Sequence, residues 1–217
     1  MSKRVKGRTS GLLVPHHKSL PGELERAFQG RYPALLGVDE AGRGALCGPV
    51  IAAAVALPAD CELTGLDDSK KLAEAKRRQL DGMIRTSAVC FGIGSATAAE
   101  VDNLNVLQAT FLAMRRAIHR ALTSTDWQPD LILVDGPYAI PELMLPQKPE
   151  VRGDARSLNI AAASIVAKTV RDNMMREFHK THPEYGFDRH VGYGTAQHRE
   201  AIHRLGLTPH HRKTFRH

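Results

Sequence analysis

Two short apolar runs that end in carboxylates constrain this chain most. Residues 34–38 lead into Asp39 and Glu40, and residues 131–134 lead into Asp135. Runs this short, bounded by charge and turn-forming residues, read as buried strands rather than helices. Further strands are expected over 50–57, bounded by Pro49 and Pro58, and over 89–96. Thr97 and Glu100 have capping-box spacing and open a helical region. In it Leu107, Phe111, Met114, Ile118 and Leu122 recur on one helix face. A second long helix is expected over 158–178, with Leu158, Ala162, Ile165 and Thr169 turned inward. Three strands, a helix, a strand and a helix describe a mixed α/β sheet flanked by helices.

A chain of 217 residues suits one domain plus a tail. Residues 1–32 read as a flexible basic arm holding Lys3, Arg4, Lys6, Arg8 and Lys18, with one short helical candidate over 22–28. The domain itself is placed at 33–217. Thirty Lys and Arg against 23 Asp and Glu leave a net charge of +7, which points to a polyanionic partner such as nucleic acid. Cys47, Cys61 and Cys90 form no disulfide or zinc pattern, and no apolar run is long enough to span a bilayer. A cytoplasmic protein with no membrane partner is expected.

The carboxyl ends of strands are where ligands collect in α/β sheets. If the strands ending at Asp39 and Asp135 are parallel neighbours, both acids leave the same edge. Asp154, just before the long helix, is a third candidate. Clustered carboxylates repel one another unless a cation lies between them, and oxygen ligands without His or Cys favour Mg²⁺ or Mn²⁺. Such ions can promote phosphodiester hydrolysis. Consecutive strand residues face opposite sides, so Asp39 and Glu40 share a site only if the strand ends or bends there. Gly42, Arg43 and Gly44 follow directly, and a guanidinium beside backbone free of side chains suits a phosphate.

Asp39-Glu40-Ala41-Gly42-Arg43-Gly44 resembles the signature of bacterial ribonuclease HII. Further segments similar to that family follow in order: Asp68-Ser69-Lys70, Val134-Asp135-Gly136, Gly153-Asp154, the stretch 161–168 ending in Lys168, Arg171-Asp172, Gly192-Tyr193 and the stretch 210–215. The likeness runs from about residue 34 to the C-terminus. It implies a ribonuclease H-like mixed five-stranded sheet flanked by helices, with a helical C-terminal extension. It implies four acidic metal-site residues, Asp39, Glu40, Asp135 and Asp154, holding Mg²⁺ or Mn²⁺. Gly42, Arg43, Gly44 and Tyr193 would read a ribonucleotide and the deoxynucleotide after it, and Ser69, Lys70, Ser164 and Lys168 would contact phosphates. The substrates implied are RNA–DNA hybrids and duplex DNA containing ribonucleotides, cut by a monomer that removes ribonucleotides from DNA. The sliding-clamp-binding tail seen in some relatives is not expected after Phe215. Two other functions compete: a silent hybrid-binding protein, which needs no carboxylate cluster, and a DNase of the same fold, which needs no Gly42–Gly44 and Tyr193.

Other features read as structural. His179 with His182, and His210 with His211, lack a set of four zinc ligands. Gly92 and Gly94 lack the third glycine of a dinucleotide loop and read as strand. Trp127 reads as core or hinge packing, and Arg77, Arg78, Arg115 and Arg116 read as solvated helix faces.

Overall fold

The computed structural model describes residues 22–61, 63, 65–66 and 72–216. The strands are β1 (Leu35–Ala41), β2 (Val50–Ala56), β3 (Cys90–Ala96), β4 (Leu131–Asp135) and β5 (Gln147–Glu150). The helices are α1 (Glu23–Phe28), α2 (Glu74–Ser87), α3 (Ala98–Leu104), α4 (Val106–Thr123), α5 (Leu158–Thr181), α6 (Phe187–His190) and α7 (Ala196–Leu205). The strands form one sheet in the order β3-β2-β1-β4-β5. Pairing is antiparallel across β3, β2 and β1, and parallel across β1, β4 and β5.

Period-two alternation sorts β2 between two cores. Val50, Ala52, Ala54 and Ala56 face α4, with Phe111, Met114 and Ile118. Ile51, Ala53 and Val55 face α5 and α2, with Ile165, Leu80 and Ile84. Both faces are covered, so all seven residues of β2 are buried and the strand reads as an unbroken apolar run. Trp127 packs at the edge of the α4 core, as expected of it.

The expected long helical region is two helices. Asn105 breaks it with a positive φ of 68°, and its side chain accepts the amide protons of Leu107 (3.0 Å) and Gln108 (3.1 Å) to start α4. The Thr97–Glu100 capping box forms as expected and starts α3. The short strand β5 has no counterpart among the expected strands because it carries Gln147, Lys148, Pro149 and Glu150 rather than an apolar run. Residues 22–32, expected to belong to the arm, lie against the body. Leu24 of α1 is buried with Leu35, Leu131, Leu133 and Ile160, and Phe28 and Tyr32 pack beside it. The remainder of the arm, 1–21, lies outside the described residues.

Glycines in β3 set how closely α4 approaches. A Cβ on Gly94 would fall 2.0 Å from the Ala113 carbonyl oxygen and 2.5 Å from the Ala117 nitrogen, both backbone atoms that cannot swing aside. Gly94→Ala is therefore expected to destabilise the fold by about 3 kcal/mol, at the upper end of ordinary overpacking costs. Chemical denaturation would show this as a lower midpoint with an unchanged slope; an unchanged midpoint would refute the close packing.

Candidate active site

Strand β1 does not stop at its acids. It continues through Glu40 to Ala41, paired with Ala52 and Ile51 of β2. Asp39 and Glu40 thus emerge on opposite faces, and the strand neither ends nor bends between them. What lets them share a site is the neighbour: pairing of β1 with β4 ends at Val38 and Val134. Past that point the tip of β1 stands at an open rim, with Asp135 at the end of β4 beside it.

A cavity of about 500 Å³ opens at this rim. Asp39, Glu40, Gly42, Arg43, Gly44, Asp135, Ser164, Lys168 and Tyr193 line it, together with Arg77, which was expected on a solvated helix face. Asp154 is not in that lining; it lies in the short 3-10 turn Gly153–Ala155 before α5. The backbone N–H of Gly153 in that turn donates to Asp135 Oδ1 at 2.8 Å. Asp68, Ser69 and Lys70 lie outside the described residues.

The electrostatics of the rim are unfavourable for anions. Burial pushes the Asp39 carboxyl well above the usual carboxylate range, and the negative charges of Glu40 and Asp135 push it further. Hydrogen bonds from the Ser164 hydroxyl and from the Glu40 backbone N–H (2.6 Å) oppose this only partly. Ser164 is therefore, in this structure, a partner of Asp39. A set of mutually repelling oxygen donors suits a hard divalent cation. Among the described residues, however, no three His, Cys, Asp or Glu side chains already converge to hold one. Glu40 is turned toward Arg43 (3.3 Å), and Asp135 Oδ1 is taken by the Gly153 amide.

The positive wall is built differently from the expected one. Arg77 is only 8 % exposed, not on a solvated face as its neighbour Arg78 is. Its guanidinium donates to Asp172 Oδ2 at 3.0 Å, while Lys168 Nζ donates to Asp172 Oδ1 at 2.7 Å. One buried carboxylate thus holds two cations at the cavity. Arg116 is likewise engaged rather than free in solvent, bonded to Glu100 at 2.8 Å. Local patterns in sequence carry no signal for the Arg77 pair, because Asp172 comes from a distant helix.

The loop after β1 is gripped from below. Arg212 donates to the carbonyls of Gly42 (2.7 Å), Arg43 (2.8 Å) and Gly48 (2.9 Å). Arg171 donates to those of Cys47 (3.1 Å), Pro49 (3.2 Å) and Val191 (2.9 Å). Gly42 has a φ of 97°, and a Cβ there would lie 2.0 Å from Arg171 Nε. Its lack of a side chain makes room for the arginine beneath, whereas a Cβ on Gly44 would meet open space. Tyr193 lies beside this loop, with its ring centroid 5.2 Å from Arg171 Cζ and 5.9 Å from Lys168 Nζ.

Histidines hold the Tyr193 segment. His211 Nδ1 accepts the Thr208 backbone proton at 2.9 Å, which leaves its proton on Nε2. That nitrogen lies 3.1 Å from His198 Nε2, so His198 accepts there and donates from Nδ1 to the Tyr193 carbonyl at 3.0 Å. His190 Nδ1 accepts the Gly192 amide proton at 3.2 Å.

Comparison with known proteins agrees with this architecture. The family model for ribonuclease HII matches residues 36–217. The chain is 54% identical to the ribonuclease HII of Syntrophotalea carbinolica over 88% of its length and 90% of that protein's. It is 52% identical to that of Geobacter metallireducens, over 85% of its length and 84% of the relative's. Among solved structures, the ribonuclease H2 of Pyrococcus horikoshii matches with a TM-score of 0.66 at 25% identity, covering 83% of this chain and 93% of that one. A mixed five-stranded sheet with an acid-lined rim, matched along nearly its whole length, places the chain in the ribonuclease HII family of ribonuclease H hydrolases.

Proposed function

We propose that the chain is an endonuclease that cuts the RNA strand of RNA–DNA hybrids and the 5′ side of a ribonucleotide embedded in duplex DNA. It leaves 3′-hydroxyl and 5′-phosphate ends and serves to remove ribonucleotides from DNA. One observation carries this reading: four separate segments deliver carboxylates, the Gly42–Gly44 loop, Lys168 and Tyr193 to a single cavity. A hybrid-binding protein without activity would have no use for three acids at the floor of a phosphate-binding cleft.

Asp39, Glu40 and Asp135 are the residues that would hold Mg²⁺ or Mn²⁺, with Asp154 contributed by the turn bonded to Asp135. A divalent cation bound there would make water a competent nucleophile near neutral pH and offset charge on the phosphate. The protein's own part is to seat the strand. Arg43 and Lys168 face the backbone phosphates, and Ser164 fixes Asp39. The exposed amide edge at Gly44 can approach a 2′-hydroxyl, the group that distinguishes RNA from DNA. The ring of Tyr193 packs against the next sugar, where an added hydroxyl would crowd it.

Asp39→Asn separates stability from catalysis. A carboxyl whose folded pKa is raised binds more protons folded than unfolded, so its stabilising contribution is lost as pH rises through the folded value. Near neutral pH with a chelator present, ionised Asp39 weighs against the fold, and Asp39→Asn is expected to melt at a higher temperature than the parent. Mg²⁺ should then raise the melting temperature of the parent more than that of the variant. Cleavage by the variant should fall by about a thousandfold, the order of losing a key electrostatic element. A variant that melts lower in chelator and still cuts normally would remove Asp39 from the site.

Substrate reading is tested with a duplex holding one ribonucleotide, a continuous RNA–DNA hybrid and an all-DNA duplex. The parent should cut the first two and leave the third intact. Tyr193→Ala should lose more on the single-ribonucleotide duplex than on the hybrid, with Tyr193→Phe between. Equal losses on both would take Tyr193 out of junction recognition, and cutting of pure DNA would overturn the proposed substrate.

A further inference from the structure

Helix α1 lies ahead of residue 36, where the family match begins, yet its acids are tied into the turn that carries Asp154. Glu25 Oε1 accepts three hydrogen bonds at the start of α5: from Ser157 Oγ (2.6 Å), Asn159 N (3.1 Å) and Asn159 Nδ2 (3.0 Å). Glu25 thus occupies amide and side-chain donors that the helix itself leaves unsatisfied at its N-terminus. One residue before Ser157, Arg156 is clamped from two sides. It donates to Glu23 Oε1 at 2.9 Å and to Glu150 Oε2 at 2.7 Å, and its carbonyl accepts the Leu24 amide proton at 3.1 Å.

The 3-10 turn is closed by its own backbone bonds, from Ala155 N–H to the Arg152 carbonyl (3.2 Å) and from Arg156 and Ser157 N–H to that of Gly153 (2.9 and 2.8 Å), and its neighbours set where this small unit sits. Here the neighbours are unequal. On the cavity side the Gly153 amide is bonded to Asp135 Oδ1, and Asp154 follows directly. On the other side the turn runs into the start of α5, where Glu25 of α1 holds Ser157 and Asn159, and Arg156 is shared between Glu23 of α1 and Glu150 of β5. Buried Leu24 anchors α1 beneath the first residues of β1 and β4, the same two strands whose far ends carry Asp39 and Asp135. The Gly153–Asp135 hydrogen bond is what joins this stretch to the carboxylate of Asp135.

We infer that Glu25, assisted by Glu23, is a positioning residue of the active site, fixing the 153–159 turn and through it the carboxylates of Asp135 and Asp154. This rests on the metal-site reading proposed for the rim. Groups that orient metal ligands typically alter metal affinity tenfold to a hundredfold when removed. The second oxygen of Glu25, Oε2, is buried and has no hydrogen-bond partner. The contacts are all made by Oε1, an atom that glutamine also possesses.

The experiment is calorimetric titration of Mn²⁺ into the full chain without substrate, with melting temperature measured in parallel. Glu25→Ala is expected to weaken Mn²⁺ binding about tenfold, and Glu25→Gln to recover most of it. Glu23→Ala, at a more exposed position that will not prevent folding, should weaken binding about threefold. Ile118→Val, in the α4 core on the opposite face of the sheet, is the control: it should lower the melting temperature and leave Mn²⁺ affinity unchanged. Wild-type Mn²⁺ affinity in Glu25→Ala would overturn the inference, or in Glu23→Ala should Glu25→Ala fail to fold. Asp135→Asn distinguishes the two levels of argument. If it too binds Mn²⁺ normally, the metal-site reading falls; if it alone loses binding, only the role of α1 does.

Discussion

The site depends on two buried guanidinium groups. Arg171 and Arg212 are wholly enclosed, and they donate to carbonyls of the loop between β1 and β2 and of the segment before Tyr193. Burying such charges is costly unless their donors are satisfied. The cost shows in Arg212, where burial first and then the charge of Arg171 bring its pKa down to about 10. Because carbonyl oxygens must converge on both planar forks, the loop over 42–49 has little freedom. It presents Arg43 and Gly44 to the cavity because its underside is committed elsewhere.

The same economy explains why the acids can stand where they do. Asp39 is buried at the tip of a strand whose two faces are otherwise filled by apolar cores, and hydrogen bonds from Ser164 and the Glu40 amide offset only part of the burial and of the repulsion from Glu40 and Asp135. The sheet provides rigidity, and that rigidity keeps like charges together that would separate in a looser fold. Stability is given up at the rim for a geometry that chemistry can use.

Much of this is legible in the residues, because burial on both faces leaves an apolar run that needs no partner to be recognised. That holds for β2 and for the apolar starts of β1 and β4, and therefore for the shared edge of Asp39 and Asp135. What escapes depends on partners far away in the chain. Arg77 beside Arg78 looks like any charged helix face, and only Asp172 from α5 makes it part of a cavity wall. Helix α1 offers a single buried apolar residue, Leu24, between two glutamates, which resembles a solvated arm until Ser157, Asn159 and Arg156 meet it. The break at Asn105 is a positive φ on a residue other than glycine, and β5 has no apolar signature at all.

The histidine chain behind Tyr193 has a direction. A backbone amide at Thr208 can only donate, so it decides which nitrogen of His211 holds the proton; that decides His198, and His198 decides what reaches the Tyr193 carbonyl. Neither ring can reverse its tautomer alone without setting two protons or two lone pairs against each other. Nor can both neutral rings reverse together, because the Thr208 amide can only donate and the Tyr193 carbonyl can only accept. Both ends are peptide groups of fixed polarity, so backbone geometry in the C-terminal region dictates where every proton lies along the tether to the Tyr193 carbonyl.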